Sequence, residues 1–119
     1  MHAMKITDGP VFIADDGQKH YEPIKESMTY GVAISCVEVG KPMAIHSHPP
    51  MEQIYYVRSG RGIVTVDGEE MEVEKDMVIF IPSGAEHGMR PLEGDEPLTY
   101  IYVTHFLDQP SSHGYESEG

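Results

Sequence analysis

The chain of 119 residues has one cysteine, no tryptophan and only eight lysines and arginines. A single thiol, Cys36, closes no internal disulfide, which excludes a disulfide-stapled secreted scaffold. No apolar run approaches the ~20 residues needed to span a bilayer. The opening MHAMKITDGP also lacks the apolar stretch of a signal peptide. The expectation is a cytoplasmic protein with no membrane partner. Twenty acidic residues against eight basic ones give a net charge of −12, a field that repels nucleic acid and anionic lipid at long range. The same charge keeps a protein soluble and leaves a small ligand in a local pocket open. Helical periodicity is nearly missing too, as are internal repeats and any shift in composition that would divide the chain. One domain of this length buries roughly two thirds of the surface its unfolded chain exposes.

What is there is strand-like. In MTYGVAISCVEV (28–39) an alternation puts Met28, Tyr30, Val32, Ile34 and Cys36 on one side and small or polar residues on the other. A period of two predicts a half-buried strand with Tyr30 and Cys36 facing inward. RGIVTVDGEEMEVE (61–74) predicts a hairpin about Asp67-Gly68, with Val64, Val66, Met71 and Val73 sharing a face and Glu70, Glu72 and Glu74 toward solvent. MVIFIP (77–82) predicts a short, fully apolar, buried strand stopped by Pro82, and LTYIYVTHFL (98–107) a last strand. Short strands with glycine and proline punctuation indicate an all-β sandwich or barrel. Residues 15–27 carry a weak pattern, compatible with an irregular turn or short helix. QPSSHGYESEG has no apolar content to bury, which makes 108–119 a flexible tail.

The stretch HSHPPMEQIYYVRSG (46–60) carries the candidate chemistry. His46 and His48 are two apart, so on an extended strand they leave the same face with Cα atoms about 6.5–7 Å apart. Imidazoles at that separation can converge on one ion at roughly 2.0–2.2 Å. Histidines at a strand end also serve packing or hydrogen bonding, so the pair alone leaves both readings open. A third histidine, His87, follows the Pro82-Ser83-Gly84 turn in DMVIFIPSGAEHGMR (76–90).

The two segments together resemble the cupins. Gly40-KPMAI-His46-S-His48-PPME-Gln53-IYYVRS-Gly60 is similar to the first cupin motif, and Asp76-MVIFI-Pro82-S-Gly84-AE-His87 to the second. Asp76 stands where the second motif opens on glycine, and Pro91 where an asparagine is often found. The resemblance implies a double-stranded β-helix, or jelly-roll, barrel of mostly antiparallel strands over residues 28–107. Residues 1–27 would then be an N-terminal strand and connecting segment. It also implies one divalent metal (Zn, Ni, Mn, Fe, Co or Cu), held by His46, His48, His87 and Gln53. Gln53 follows from the family's spacing of seven positions before the motif glycine, Gly60. Glu52 is the alternative, because Pro49-Pro50 fixes no parity between His48 and the next strand. Small cupins are commonly homodimers that pair through N-terminal segments, and VFIA (11–14) has no obvious partner in a minimal barrel.

Around such a site Tyr30, Tyr55, Tyr102 and His105 are candidates to hydrogen-bond a substrate or move a proton. Each is equally readable as a core or surface residue, and the last strand presents either its Tyr100/Tyr102 side or its His105 side inward. Arg90 is a candidate guide for an anionic ligand or a solvated surface residue. Cys36 reads as a small buried filler. No glycine-rich phosphate loop is present, and Pro82-Ser83-Gly84 is no nucleophile elbow. The resulting expectation is a metal-dependent enzyme on a small oxygenated substrate: an isomerase, a lyase, or an enzyme that opens a sugar-acid ring by Lewis-acid catalysis. Cupins that linearise unsaturated uronates look similar around this ligand set, but the acid and arginine of their late-strand region are missing from LTYIYVTHF. An iron or copper dioxygenase is a second enzyme reading, and a non-catalytic small-ligand or sugar-binding module is a third.

Overall fold

The computed structural model describes residues 1–47 and 50–107. Nine strands follow in order: β1 (Val11–Ile13), β2 (Lys19–Ile24), β3 (Val32–Val39), β4 (Met51–Ser59), β5 (Arg61–Val66), β6 (Glu69–Glu74), β7 (Val78–Ile81), β8 (His87–Pro91) and β9 (Leu98–Phe106). They form a six-stranded sheet in the order β1-β2-β3-β9-β4-β7 and a three-stranded sheet in the order β6-β5-β8. Every pairing is antiparallel. The core lies between the sheets: Val37, Val57, Tyr55, Tyr100 and Tyr102 from the larger meet Val64, Val73 and Met89 from the smaller. Among the described residues there is no α-helix, and no helix is long and apolar enough to cross a membrane.

The hairpin forms as the sequence predicts. Asp67 and Gly68 both take positive φ, 49° and 83°, the twist that joins two right-handed strands through a two-residue turn. Val64 lies opposite Met71 and Gly62 opposite Val73. Val64 and Val73 turn to the core and Glu70, Glu72 and Glu74 are exposed as expected, but Met71, expected on the inner face, is 58% exposed. After β7, Ala85 N–H donates to the Pro82 carbonyl at 3.1 Å. Gly84, at φ 81°, closes this turn and delivers the chain to His87.

Three readings are corrected. In β3 the parity is reversed: Ala33, Ser35, Val37 and Val39 are buried toward the core, with Val37 opposite Tyr100 and Ser35 opposite Tyr102. Met28 and Tyr30 precede the strand, and Tyr30 is 79% exposed. Cys36 is buried, as expected, but on the outer face, where Arg58 Nη1 reaches its Sγ at 3.4 Å. The apolar alternation misled because the inner face uses small and polar residues beside bulky tyrosines. The second correction concerns VFIA, whose Val11–Ile13 finds a partner in this chain, pairing with β2. Residues 15–27 accordingly hold a six-residue strand before the short 3-10 turn Glu26–Met28. Third, β7 is an edge strand and not a buried one. Its Val78 and Phe80 are exposed while Ile81 is buried. The expected tail, 108–119, lies outside the described residues.

Candidate metal centre and the polar barrel interior

His46 lies in the loop before β4, and its backbone forms an isolated antiparallel bridge with His87 at the start of β8. His46 N–H donates to the His87 carbonyl at 2.9 Å, and His87 N–H donates back at 2.7 Å. This bridge brings the two ring centroids to 4.3 Å, tilted by 56°. Each Nδ1 lies against a carbonyl two residues upstream, His46 on Ala44 at 2.7 Å and His87 on Ala85 at 2.9 Å. A carbonyl only accepts, so Nδ1 carries the hydrogen, and in the neutral ring the lone pair is on Nε2. Histidine ligands of metals are oriented by this kind of outer hydrogen bond. His48 lies outside the described residues.

β4 alternates strictly, so Glu52 and Gln53 leave opposite faces. Gln53 is buried in the barrel, where its Nε2 donates to Thr104 Oγ1 at 3.0 Å and its Oε1 accepts from the Tyr55 hydroxyl at 3.4 Å. The Tyr55 ring in turn stands edge-on to His87 with centroids 6.2 Å apart. Glu52 instead pairs with His105 Nδ1 at 3.2 Å on the outer surface. Of the tyrosine and histidine candidates, Tyr55 and Tyr102 thus line the interior, as does Tyr100. Tyr30 and His105 are corrected: both are exposed and away from it.

The interior holds its hydroxyls protonated. Burial raises the pKa of Tyr55, Tyr100 and Tyr102 above the ordinary tyrosine value, while hydrogen bonds from Tyr100 to Tyr55 and from Ser35 to Tyr102 pull the other way. These phenols are therefore donors at neutral pH. His20, which no sequence motif singles out, also belongs here. Its register partner is Val37, which puts it on the inner face of β2. It stacks on Phe12 at 4.8 Å, and its Nδ1 lies 2.7 Å from the Tyr102 hydroxyl. Burial, countered by Asp16 and reinforced by His46, lowers its pKa to about 4. Nothing in KHYEPI distinguishes this histidine from a surface one; only its pairing does.

Among the described residues no group of three or more His, Cys, Asp and Glu side chains is placed to hold a metal. The donors that are described still fit one. Two imidazoles in the same tautomer sit side by side, and the nearby buried amide offers an oxygen. Imidazole and oxygen donors suit borderline divalent ions.

The cupin domain family matches residues 33–104, more than half of the chain. The chain is a cupin. An uncharacterised protein of Methanocaldococcus jannaschii is 33% identical over 93 residues, 78% of this chain and 68% of that protein. The dimethylsulfoniopropionate lyase of Ruegeria pomeroyi is 38% identical over 63 residues, 53% of this chain and 40% of the lyase. An RmlC-like cupin of Shewanella frigidimarina superposes with a TM-score of 0.75 at 17% identity, over 97% of this chain and 96% of that one. The last likeness concerns the fold, and it extends through the N-terminal strands β1 and β2.

Proposed function

We propose that this cupin is a metal-dependent enzyme acting on a small oxygenated substrate, in the lyase or isomerase class. The observation that carries the reading is the His46–His87 pair, two adjacent imidazoles tilted against each other, each tied through Nδ1 to a backbone carbonyl. His46, His87 and Gln53, with His48, are the proposed ligands; Glu52 is engaged by His105 on the opposite face of β4. A divalent ion held by these residues would supply Lewis-acid charge to a substrate oxygen. Because imidazoles and an amide are neutral, the ligand set favours an anionic or oxygen-rich substrate. Tyr55 and Tyr102 keep their protons because they are buried. Tyr55 spends its hydrogen on Gln53 Oε1 and Tyr102 lies against His20 Nδ1, so the two phenols position the amide and the imidazole that face the substrate. Val57, Val64 and Met89 line the deeper barrel with apolar side chains. The lyase activity named for the Ruegeria relative supports the reaction class.

The reading includes a homodimer. Ile54 pairs with Phe80 and Tyr56 with Val78 across β4 and β7, and all four are exposed on one outer face beside an open sheet edge. An isologous contact with a second copy would cover both.

Elemental analysis of untagged protein, beside His48→Ala and His87→Ala, tests the metal centre. About one divalent ion per chain, lost in both variants, is expected. No bound metal after reconstitution with zinc, nickel, manganese or iron would sink the reading.

A further inference from the structure

His20 is 3% exposed and its Nδ1 is engaged by Tyr102, yet its Nε2 is buried with no hydrogen-bond partner among the described residues. A buried polar nitrogen left unpaired is costly, and native structures rarely tolerate one without an occupant. The ring is also held in place: Phe12 stacks on one face, and Tyr102 meets it edge-on at 5.7 Å. Its partner is anchored as well, because Ser35 hydrogen-bonds Tyr102 from the neighbouring strand β3.

We propose that His20 is a ligand-binding residue of the barrel, whose Nε2–H donates a hydrogen bond to an oxygen of a small carboxylate or carbonyl compound. The chain Ser35 to Tyr102 to His20 sets the tautomer. Ser35 donates to the Tyr102 oxygen, Tyr102 donates to Nδ1, and the ring hydrogen is left on Nε2. Burial keeps the ring neutral at pH 7, so it presents one fixed donor and no charge. That donor is selective, since a ligand lacking an acceptor would leave it unpaired. This assignment needs only β1, β2, β3 and β9 and does not rest on the metal centre.

Nitrogen-15 NMR of the imidazoles in the full-length protein tests it, with sodium formate as probe, in EDTA-treated and in zinc-loaded samples. Neutral His20 should carry its proton on Nε2, and formate should shift that Nε2–H signal saturably in both samples. His20→Phe, which preserves the aromatic stack, should weaken formate binding roughly three- to tenfold. A His20 proton on Nδ1 overturns the proposal. So does a Nε2–H that contacts only water and ignores formate. Should His20→Phe fail to fold, Tyr102→Phe provides the second arm and should redistribute the His20 tautomers. Loss of zinc binding in His87→Ala with an unchanged His20 response would leave this assignment standing, whereas the reverse result would remove it and leave the metal centre.

Discussion

Gln53 occupies a position where charge matters more than size. Its amide donates to Thr104 through Nε2 and accepts from Tyr55 through Oε1. Gln53→Glu keeps the volume, adds a negative charge to the proposed centre, and replaces the donor facing Thr104 with an acceptor. The variant should retain metal and bind anionic ligands about tenfold more weakly, a difference of about 1.4 kcal/mol. Calorimetric titration with oxalate decides it, and tighter binding by the variant would contradict a site kept at full positive charge. The cupin spacing selects Gln53, but the residues alone leave Glu52 open, because Pro49-Pro50 breaks the parity that runs from His48. The β4 alternation supplies it. His20 makes a second prediction at this scale. Its pKa falls from 6.5 in the unfolded chain to about 4 in the fold, so below pH 6.5 the unfolded chain binds a proton that the native one refuses. The associated stability is complete above pH 6.5 and is lost as pH falls toward 4, by about 3 kcal/mol. Urea unfolding at pH 7 and pH 5 should show a smaller loss for His20→Phe than for wild type. Equal losses would mean that His20 is not the group responsible.

The elements were legible where local chemistry dictates them and obscure where tertiary position does. Asp67-Gly68 can hardly do anything but turn a hairpin, and Pro82-Ser83-Gly84 likewise marks its turn from composition alone. In β3 the buried face is Ala33, Ser35, Val37 and Val39, and no alternation of apolar residues announces a face that contains a serine bonded to a buried tyrosine. β2 was missed because Pro23 and a register shift between Tyr21 and Ile24 interrupt its pattern. β7 looks buried because every residue is apolar; its place at a sheet edge is not written in MVIFIP. The second motif's opening position is instructive. Asp76 sits at φ 73°, the left-handed conformation for which glycine is the default residue. Gly60, which ends the first motif, has less freedom still. At φ 75° it lies so close to β9 that an added Cβ would stand 2.5 Å from the Pro97 carbonyl oxygen and 2.7 Å from Leu98 Cα. Both obstacles are backbone and cannot step aside. Gly60→Ala should therefore cost at least about 2 kcal/mol, whereas Gly94→Ala, with nothing within 4 Å, should change stability by less than about 0.5 kcal/mol. Similar unfolding midpoints for the two variants would refute the close approach of β4 to β9 at this turn.

At the scale of the whole molecule, an exposed apolar face and the proposed metal centre each imply a measurable dependence on something outside the chain. Val78 is 63% exposed and Phe80 54%, on a protein whose net charge of −12 opposes self-association. Apolar contact has to outweigh that repulsion, so dimerisation should strengthen with salt, which screens the charge. Sedimentation of wild type at roughly 20 and 300 mM salt, where the screening length differs several-fold, should reveal the dimer, and Phe80→Glu should leave a monomer at both. A wild type that stays monomeric would end the dimer proposal. The metal centre leads to a sharper consequence, because its proposed ligands come from both sheets. Gln53 belongs to β4 of the larger sheet, His87 to β8 of the smaller, and His46 is bridged to His87 through the backbone. An ion shared among them ties the two layers together and binds the native state only. At a free concentration a hundred times its dissociation constant it adds about 2.7 kcal/mol, roughly 10 °C in melting temperature for a domain of this size. Wild-type protein should thus melt lower after chelation and recover on adding one equivalent of zinc. His87→Ala should melt at one temperature regardless of zinc. If wild type behaves like the variant, the two sheets are held by the tyrosine-rich core alone and the histidine pair serves only to pin the loop before β4 to β8.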